Sequence, residues 1–226
     1  MNSFKESTRL AFLKDKFIRL WPNLSYQLVD LDSEYCTDNK KTLVVGSGRN
    51  PKIQGKNIIN TDIRPFRSVL AVTDTQWLSF ADDSFDVIIC HQVLEHVPNA
   101  DQAVREIHRV LKPGGRVIVT VPFYFPFHAS PYDFRRWTIH GLKATFHQFS
   151  DLDSGVYIGP ISAVLTGIQE FVGLLVPNFY LSYLVKGAMG WILYPLKFLD
   201  KAISKLPHAS AMAASVYFVG EKRSHK

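Results

Sequence analysis

"FDVIICHQVLEHVPNADQAVREIHRVLKPGGRVIVTVPF", residues 85–123, decides the fold. FDVIICH (85–91) is apolar along almost its whole length, the pattern of a strand covered on both faces. ADQAVREIHRVL (100–111) then places Ala103, Val104, Ile107, Val110 and Leu111 at helical spacing. Pro113, Gly114 and Gly115 stop that helix, and RVIVTVPF (116–123) is a second apolar strand. A strand, a crossover helix and a strand make a parallel unit. Working back toward the N-terminus, TLVVG (42–46), NIINTD (57–62) and SVLAV (68–72) read as three further strands. Strands alternating with helices imply a doubly wound, mostly parallel sheet with helices on both faces. Ligands bind such sheets at the carboxyl ends of the strands, here Gly46–Pro51, Asp62, Asp74, Cys90–His96 and the chain after Pro122.

The composition suits a globular protein of 226 residues, 46% hydrophobic and 20% charged. Its two cysteines, Cys36 and Cys90, give no disulfide framework and read as buried thiols of a reducing compartment. The opening MNSFKESTRLAFLKDKFIRL mixes charge with apolar residues, so an amphipathic helix is expected there in place of a signal peptide. The expected location is cytoplasmic. From Val156 onward seven basic residues face three acidic ones, which puts +4 of the +6 net charge in the last third. Those cations are sparse and set among apolar residues, whereas nucleic-acid grooves need denser charge, so no nucleic-acid partner is expected.

At the ligand edge, glycines in GSGRNP (46–51) let the backbone approach a bound group and point amides at it. A tight turn is the plainer reading of the same residues. Asp62, ending the second strand, can accept two hydrogen bonds from ribose hydroxyls. Asp74, in DTQWLSF, can accept from an exocyclic adenine amine, with Trp77 and Leu78 as an apolar wall. Taken singly, each aspartate also fits a turn or a helix cap.

In combination, "DTQWLSFADDSFDVIICHQVLEHV" (74–97) and "AVREIHRVLKPGGRVIVTVP" (103–122) resemble the type 11 branch of the class I S-adenosylmethionine-dependent methyltransferases. The resemblance covers roughly residues 41 to 123. It implies a Rossmann-like sheet of seven strands that ends in an antiparallel hairpin, and it implies S-adenosylmethionine as cofactor. By that resemblance Gly46 and Gly48 border the cofactor's methionine part, with Ser47 between them. Asp62 holds the ribose beside Ile63, Asp74 binds the adenine amine beside Thr75 and Trp77, and His91 stands at the cofactor-facing end of the fourth strand. Two positions depart from the family pattern. Val44 replaces an acidic residue two positions before the first glycine, and Asn50 replaces the third glycine. Both touch the amino-acid end of the cofactor.

FPFHASPYDFRRWT (125–138) leaves the carboxyl end of the fifth strand, where the sulfonium is expected. Pro126 and Pro131 restrict its backbone. Methyl transfer is an in-line displacement and needs the acceptor aligned and shielded from water. His128 is the candidate general base, with Asp133 orienting it and His96 as second choice. Tyr132, Arg135 and Arg136 are the expected acceptor contacts, the arginines for a phosphate or carboxylate. The plainer alternative pairs Asp133 with Arg136, puts Trp137 in the core and leaves His128 and His96 structural. No ligand cluster for a metal stands out near the site. HASPYDFRRWTIHGL (128–142) also resembles a segment of type 11 methyltransferases associated with bacterial surface-polysaccharide synthesis, which implies a small-molecule or lipid-linked glycan acceptor.

GVYIG (155–159) and ASVYFVGEK (214–222) suit the terminal hairpin. The expected organisation is a helical cap over 1–40, a core over 41–159, a hydrophobic helical insertion over 160–212, and a final strand and tail over 213–226. FVGLLVPNFYLSYLV (171–185) carries no charge, but Pro177 interrupts it well short of the roughly 20 residues a spanning helix needs. Lys197, Lys201 and Lys205 recur on one helical face opposite Leu196, Leu199 and Ile203. The insertion therefore either packs over the acceptor pocket or makes peripheral membrane contact through 160–205, on the inner face. The leading expectation is O-methylation of a glycan or glycolipid hydroxyl. The alternatives are a quinone or small-lipid methyltransferase, and a non-catalytic cofactor-binding scaffold at a membrane.

Overall fold

The computed structural model describes residues 21–35 and 39–224. The segment 1–20, expected as an amphipathic helix, and Cys36 lie outside the described residues. Helix α1 (Leu31–Tyr35) precedes strands β1 (Thr42–Val45), β2 (Ile58–Asp62), β3 (Ala71–Val72) and β4 (Phe85–His91). A 3-10 turn at Leu94–His96 leads to α2 (Ala100–Val110), β5 (Leu111–Pro122), α3 (Ile139–Thr145) and β6 (Phe149–Ile158). Helices α4 (Pro160–Leu174), α5 (Phe179–Leu193) and α6 (Asp200–Ile203) separate β6 from β7 (Ser215–Lys222). The strands form one seven-stranded sheet in the order β3-β2-β1-β4-β5-β7-β6. All pairings from β3 to β5 are parallel, and β7 is antiparallel to both β5 and β6.

The α2 stripe does the packing that the sequence pattern requires. Ala100, Ala103, Val104, Ile107 and Val110 are all buried, against Leu43, Ile88 and Val117 of the sheet in one core cluster. Burial of each large aliphatic side chain in that cluster contributes about 1.5–3 kcal/mol. Asn99 caps the helix by accepting from the Gln102 amide. The helix stops one residue before the expected Leu111, which is already extended and opens β5. The opposite face of the sheet is covered by Leu31 and Tyr35 of α1, packed with Val44, Ile89 and Ile118.

Strand–helix alternation is less complete than expected. No helix lies between β1 and β2, β2 and β3, or β3 and β4 among the described residues. Residues 46–57 hold three glycines, one proline and several polar side chains, with no apolar face to bury. The expected strand at 68–72 shrinks to Ala71–Val72, because Val69 closes a turn on Phe66 and Leu70 is exposed. This economy leaves the carboxyl ends of β1 and β2 uncovered by helix.

Because β6 runs parallel to β5 through their shared neighbour β7, the insertion leaves the sheet at that same edge. It is tied to the chain preceding α1. The Tyr26 amide donates to Ser162 Oγ and Lys197 Nζ donates to the Asn23 carbonyl. Buried Asp200 accepts from the Ile161 and Ser162 amides and from Ser162 Oγ, which caps α4 from a distance in sequence. The expected lysine face is thereby corrected. Lys197 is buried and lies over the Tyr194 ring, while Lys201 and Lys205 are exposed. The chain around Lys197 is a 3-10 helix, so a 3.6-residue period does not hold there. No helix among the described residues is long and apolar enough to cross a membrane.

Candidate active site

Two cavities open side by side at the carboxyl edge of the sheet. The first, about 470 Å³, is lined by Gly48, Asp62, Ile63, Asp74, Thr75 and His96, and roofed by Ser130–Tyr132. The second, about 400 Å³, is lined by Asp32, Val44, Ser47, Lys52, His91 and Tyr157. Gly46 and Gln92 belong to both linings, so the cavities meet between the ends of β1 and β4.

Local backbone chemistry builds the first cavity. Gly46 and Gly48 both have positive φ, +64° and +69°, which a side chain would strain. A Cβ at Gly46 would overlap Val93, whereas nothing stands within 4 Å of one at Gly48, so the chain leaves open space there. The Ser47 amide bonds the Thr61 carbonyl at 2.8 Å, which pins the glycine turn to β2. Asp62 Oδ2 accepts from the Gly48 amide at 3.0 Å and Oδ1 from the Arg64 amide at 2.9 Å. Each oxygen keeps a lone pair for a ligand hydroxyl. Asp74 accepts from the backbone and side chain of Gln76. Arg64 reaches across to Ser130, with its Nη2 2.6 Å from Ser130 Oγ, and so straps the loop over the cavity.

Other expected residues fall elsewhere. Trp77 is 67% exposed and does not line either cavity, so it gives no adenine wall. His91 lines the second cavity only, and Ser47 likewise. His91 Nε2 is 2.7 Å from Asp32 Oδ1 and Nδ1 is 3.1 Å from Thr120 Oγ1. Since a carboxylate only accepts, the Nε2 proton points at Asp32.

The loop after β5 is held by its own charges. Arg136 is bonded to both oxygens of Asp133 and to the Phe125 and Pro126 carbonyls. That guanidinium holds Asp133 down to about 2, a carboxyl far below its usual range. The donors expected for an acceptor anion are thus spent inside the loop. Arg135 donates to the Pro98 carbonyl and lies over Trp137, outside both cavity linings. Trp137 is buried in the core. Tyr132 does line the first cavity.

Sequence reasoning kept His96 of VLEHV as a candidate base and left Glu95 beside it without a role. The Glu95 side chain is wholly buried and neither carboxylate oxygen has a hydrogen-bond partner. Glu95 Oε1 stands 3.7 Å from His128 Nε2 and 3.9 Å from His96 Nε2. Each histidine offers its Nδ1 proton to a carbonyl, His96 to Tyr132 at 2.6 Å and His128 to Pro126 at 3.1 Å. Their rings meet edge to face, 5.1 Å apart. The Glu95 carboxylate 3.7 Å away raises the His128 pKa above its ordinary value, against the opposing effect of burial. No ligand cluster was expected, yet ligand atoms of Glu95, His96 and His128 converge to within 4.8 Å of one another. The single sequence signal for Glu95 was its place in VLEHV, directly before His96.

The residues present fit S-adenosylmethionine. The first cavity offers hydroxyl-accepting and amine-accepting carboxylates beside an open glycine backbone, at a size ordinary for small-molecule sites. Comparison with known proteins agrees in part. Residues 36–119 match the family described as a methyltransferase domain. A demethylmenaquinone methyltransferase from Lactobacillus johnsonii is 41% identical over 66 residues, 29% of this chain and 25% of that protein. The ubiquinone/menaquinone biosynthesis C-methyltransferase UbiE of Cellvibrio japonicus is 32% identical over 119 residues, 47% of this chain and 46% of its own. The matches span less than half the length of these curated relatives. Among solved structures, the [4+2]-cyclase SpnF superposes with a TM-score of 0.55 at 19% identity, covering 87% of this chain and 80% of its own. A Haemonchus contortus phosphoethanolamine N-methyltransferase 2, solved with S-adenosylhomocysteine, gives 0.51 at 15% identity, covering 86% and 52%. At these identities the structural likeness establishes the fold alone: a Rossmann-like, mostly parallel sheet with a C-terminal antiparallel hairpin.

Proposed function

We propose that the protein is an S-adenosylmethionine-dependent methyltransferase that O-methylates a hydroxyl of a glycan or glycolipid precursor. The observation that carries this reading is the first cavity, where Asp62 and Asp74 flank the open backbone at Gly48. S-adenosylmethionine supplies an electrophilic methyl group on its sulfonium. Asp62 would hold the ribose hydroxyls and Asp74 the adenine amine. The Ser130–Tyr132 roof, strapped by Arg64, would exclude water from the reacting atoms. As the oxygen–carbon bond forms, the hydroxyl proton must leave. His96 lines the cavity, and His128 stands behind it with a raised proton affinity, so this pair, backed by Glu95, would receive the proton. Asp133 holds the backbone at His128 by accepting from its amide at 2.9 Å.

The insertion supports peripheral membrane contact. Leu174, Leu175, Trp191 and Ile192 are each more than half exposed, and Lys201 and Lys205 are exposed nearby in the chain. A lipid-linked acceptor would place substrate where that surface is. The same surface favours a second reading, a quinone or other small lipid as acceptor, and the matched relatives include quinone methyltransferases. Calorimetric titration with S-adenosylmethionine, followed by labelled-methyl transfer to glycan and quinone acceptors, tests both. Cofactor binding without transfer to any hydroxylated glycan would remove the glycan reading. Cofactor binding with transfer to no acceptor would leave the cofactor-binding scaffold, and no cofactor binding would remove the methyltransferase reading.

A further inference from the structure

We infer that the second cavity receives the amino-acid end of the cofactor, and that Asp32 of α1 replaces the carboxylate missing at Val44. The inference rests on the cofactor reading above. With adenine and ribose placed at Asp74 and Asp62, the remaining part of the cofactor passes Gly46 and Gln92, the two residues common to both linings. It then enters a cavity that has one acidic and one basic side chain in its lining, Asp32 and Lys52. The cofactor's amino-acid end is a zwitterion, so an ammonium and a carboxylate must both be met there. A buried or half-buried charge without a partner is costly, and this pair offers one partner of each sign.

The geometry around Asp32 is that of a held acceptor. His91 donates to its Oδ1 at 2.7 Å and is itself fixed by Thr120, which leaves the second carboxylate oxygen available to a ligand. Leu31 sits in the same buried cluster as Val44 and so fixes α1 above β1. Strand alternation sends the Val44 side chain to this face, into the lining that Asp32 also shares. Ser47 Oγ, buried and without a hydrogen-bond partner, belongs to the same lining. A ligand amine or carboxylate would satisfy it. The acid of this lining thus stands on the helix that packs over β1, and the strand itself contributes Val44.

Two ligands separate this from a structural role. S-adenosylhomocysteine has the amino-acid end, and 5′-methylthioadenosine lacks it. Asp32→Asn should weaken S-adenosylhomocysteine binding roughly 10- to 100-fold, the worth of a charge-assisted hydrogen bond, and leave 5′-methylthioadenosine binding within about twofold. Lys52→Ala, a surface change with little risk to folding, should show the same selectivity at smaller size. Val44→Asp in the Asp32→Asn background should recover S-adenosylhomocysteine affinity. Equal losses for the two ligands, or none for S-adenosylhomocysteine, would overturn the inference while leaving the adenosine site standing. Failure of both ligands to bind the intact chain would overturn the cofactor reading and this inference with it.

Discussion

The Gly48 amide donates to Asp62 Oδ2 at 3.0 Å, so the glycine turn after β1 and the carboxylate ending β2 form one unit. Asp62 serves the backbone and a ligand with different lone pairs of the same oxygens. Asp62→Ala should therefore reduce S-adenosylhomocysteine affinity roughly 10- to 100-fold by removing charge-assisted bonds and loosening the turn. Asp62→Asn, which keeps one acceptor, should lose less. Calorimetry reads both, and an unchanged affinity in Asp62→Ala would remove the ribose assignment.

Asp200 gives a prediction about the insertion. It is buried and caps α4 through two amides and a hydroxyl, from a position beyond α5 in the chain. Asp200→Ala leaves those donors unmet and should cost about 2 kcal/mol. Thermal unfolding followed by circular dichroism should show a lower Tm, with early loss of helical signal as the insertion undocks. A Tm equal to that of the parent protein would mean that α4 holds its place by packing alone.

The sheet and its ligand edge were legible because they rest on short-range chemistry. Apolar strands, the α2 stripe and the glycine turn each carry their signal within a few residues, and Gly46, Gly48, Asp62 and Asp74 fell where that pattern puts them. What failed to show was tertiary pairing. Asp32 and His91 are 59 positions apart and meet only when α1 folds onto β1. Glu95 stands beside His96 in VLEHV, and nothing that local shows its carboxylate buried against His128, 33 positions on. Trp77 belongs to an apolar run by composition, but the turn closed between Asp74 and Trp77 turns it to solvent. Lysine periodicity misled at Lys197 because the local helix is 3-10 and the Asn23 carbonyl captures the side chain.

Asp133 should make the loop after β5 acid-sensitive. Its folded pKa is depressed to about 2 by Arg136, so its contribution is present above the unfolded value and is lost as pH falls toward 2. The shift is worth about 2 kcal/mol. Asp133→Asn should be destabilised by that order at pH 7, and the gap to the parent protein should close as the pH is lowered from about 4 to 2. Denaturant melts across that range check it. A gap independent of pH would assign the loss to packing.

The proton acceptor gives the sharpest test of the chemistry. Glu95 raises the His128 pKa, so the neutral, proton-accepting imidazole predominates only above a value higher than the ordinary figure of about 6.5. Turnover should rise with pH along an acid limb centred above that figure. Stability runs the other way: the extra stabilisation from protonated His128 is present below the unfolded value and disappears as pH rises through the folded one. Glu95→Gln keeps the volume but removes the counter-charge, so the limb should move down in pH and the neutral, proton-accepting fraction at pH 7 should rise. His128→Ala should lower turnover by about 10²–10⁴-fold with S-adenosylhomocysteine affinity kept. Chelator should change none of these, because the converging Glu95, His96 and His128 side chains are read as a charge pair with a neighbour. Turnover lost in chelator and restored by zinc or manganese would instead place a cation among the three, and a limb unmoved by Glu95→Gln would return His128 to a purely structural part.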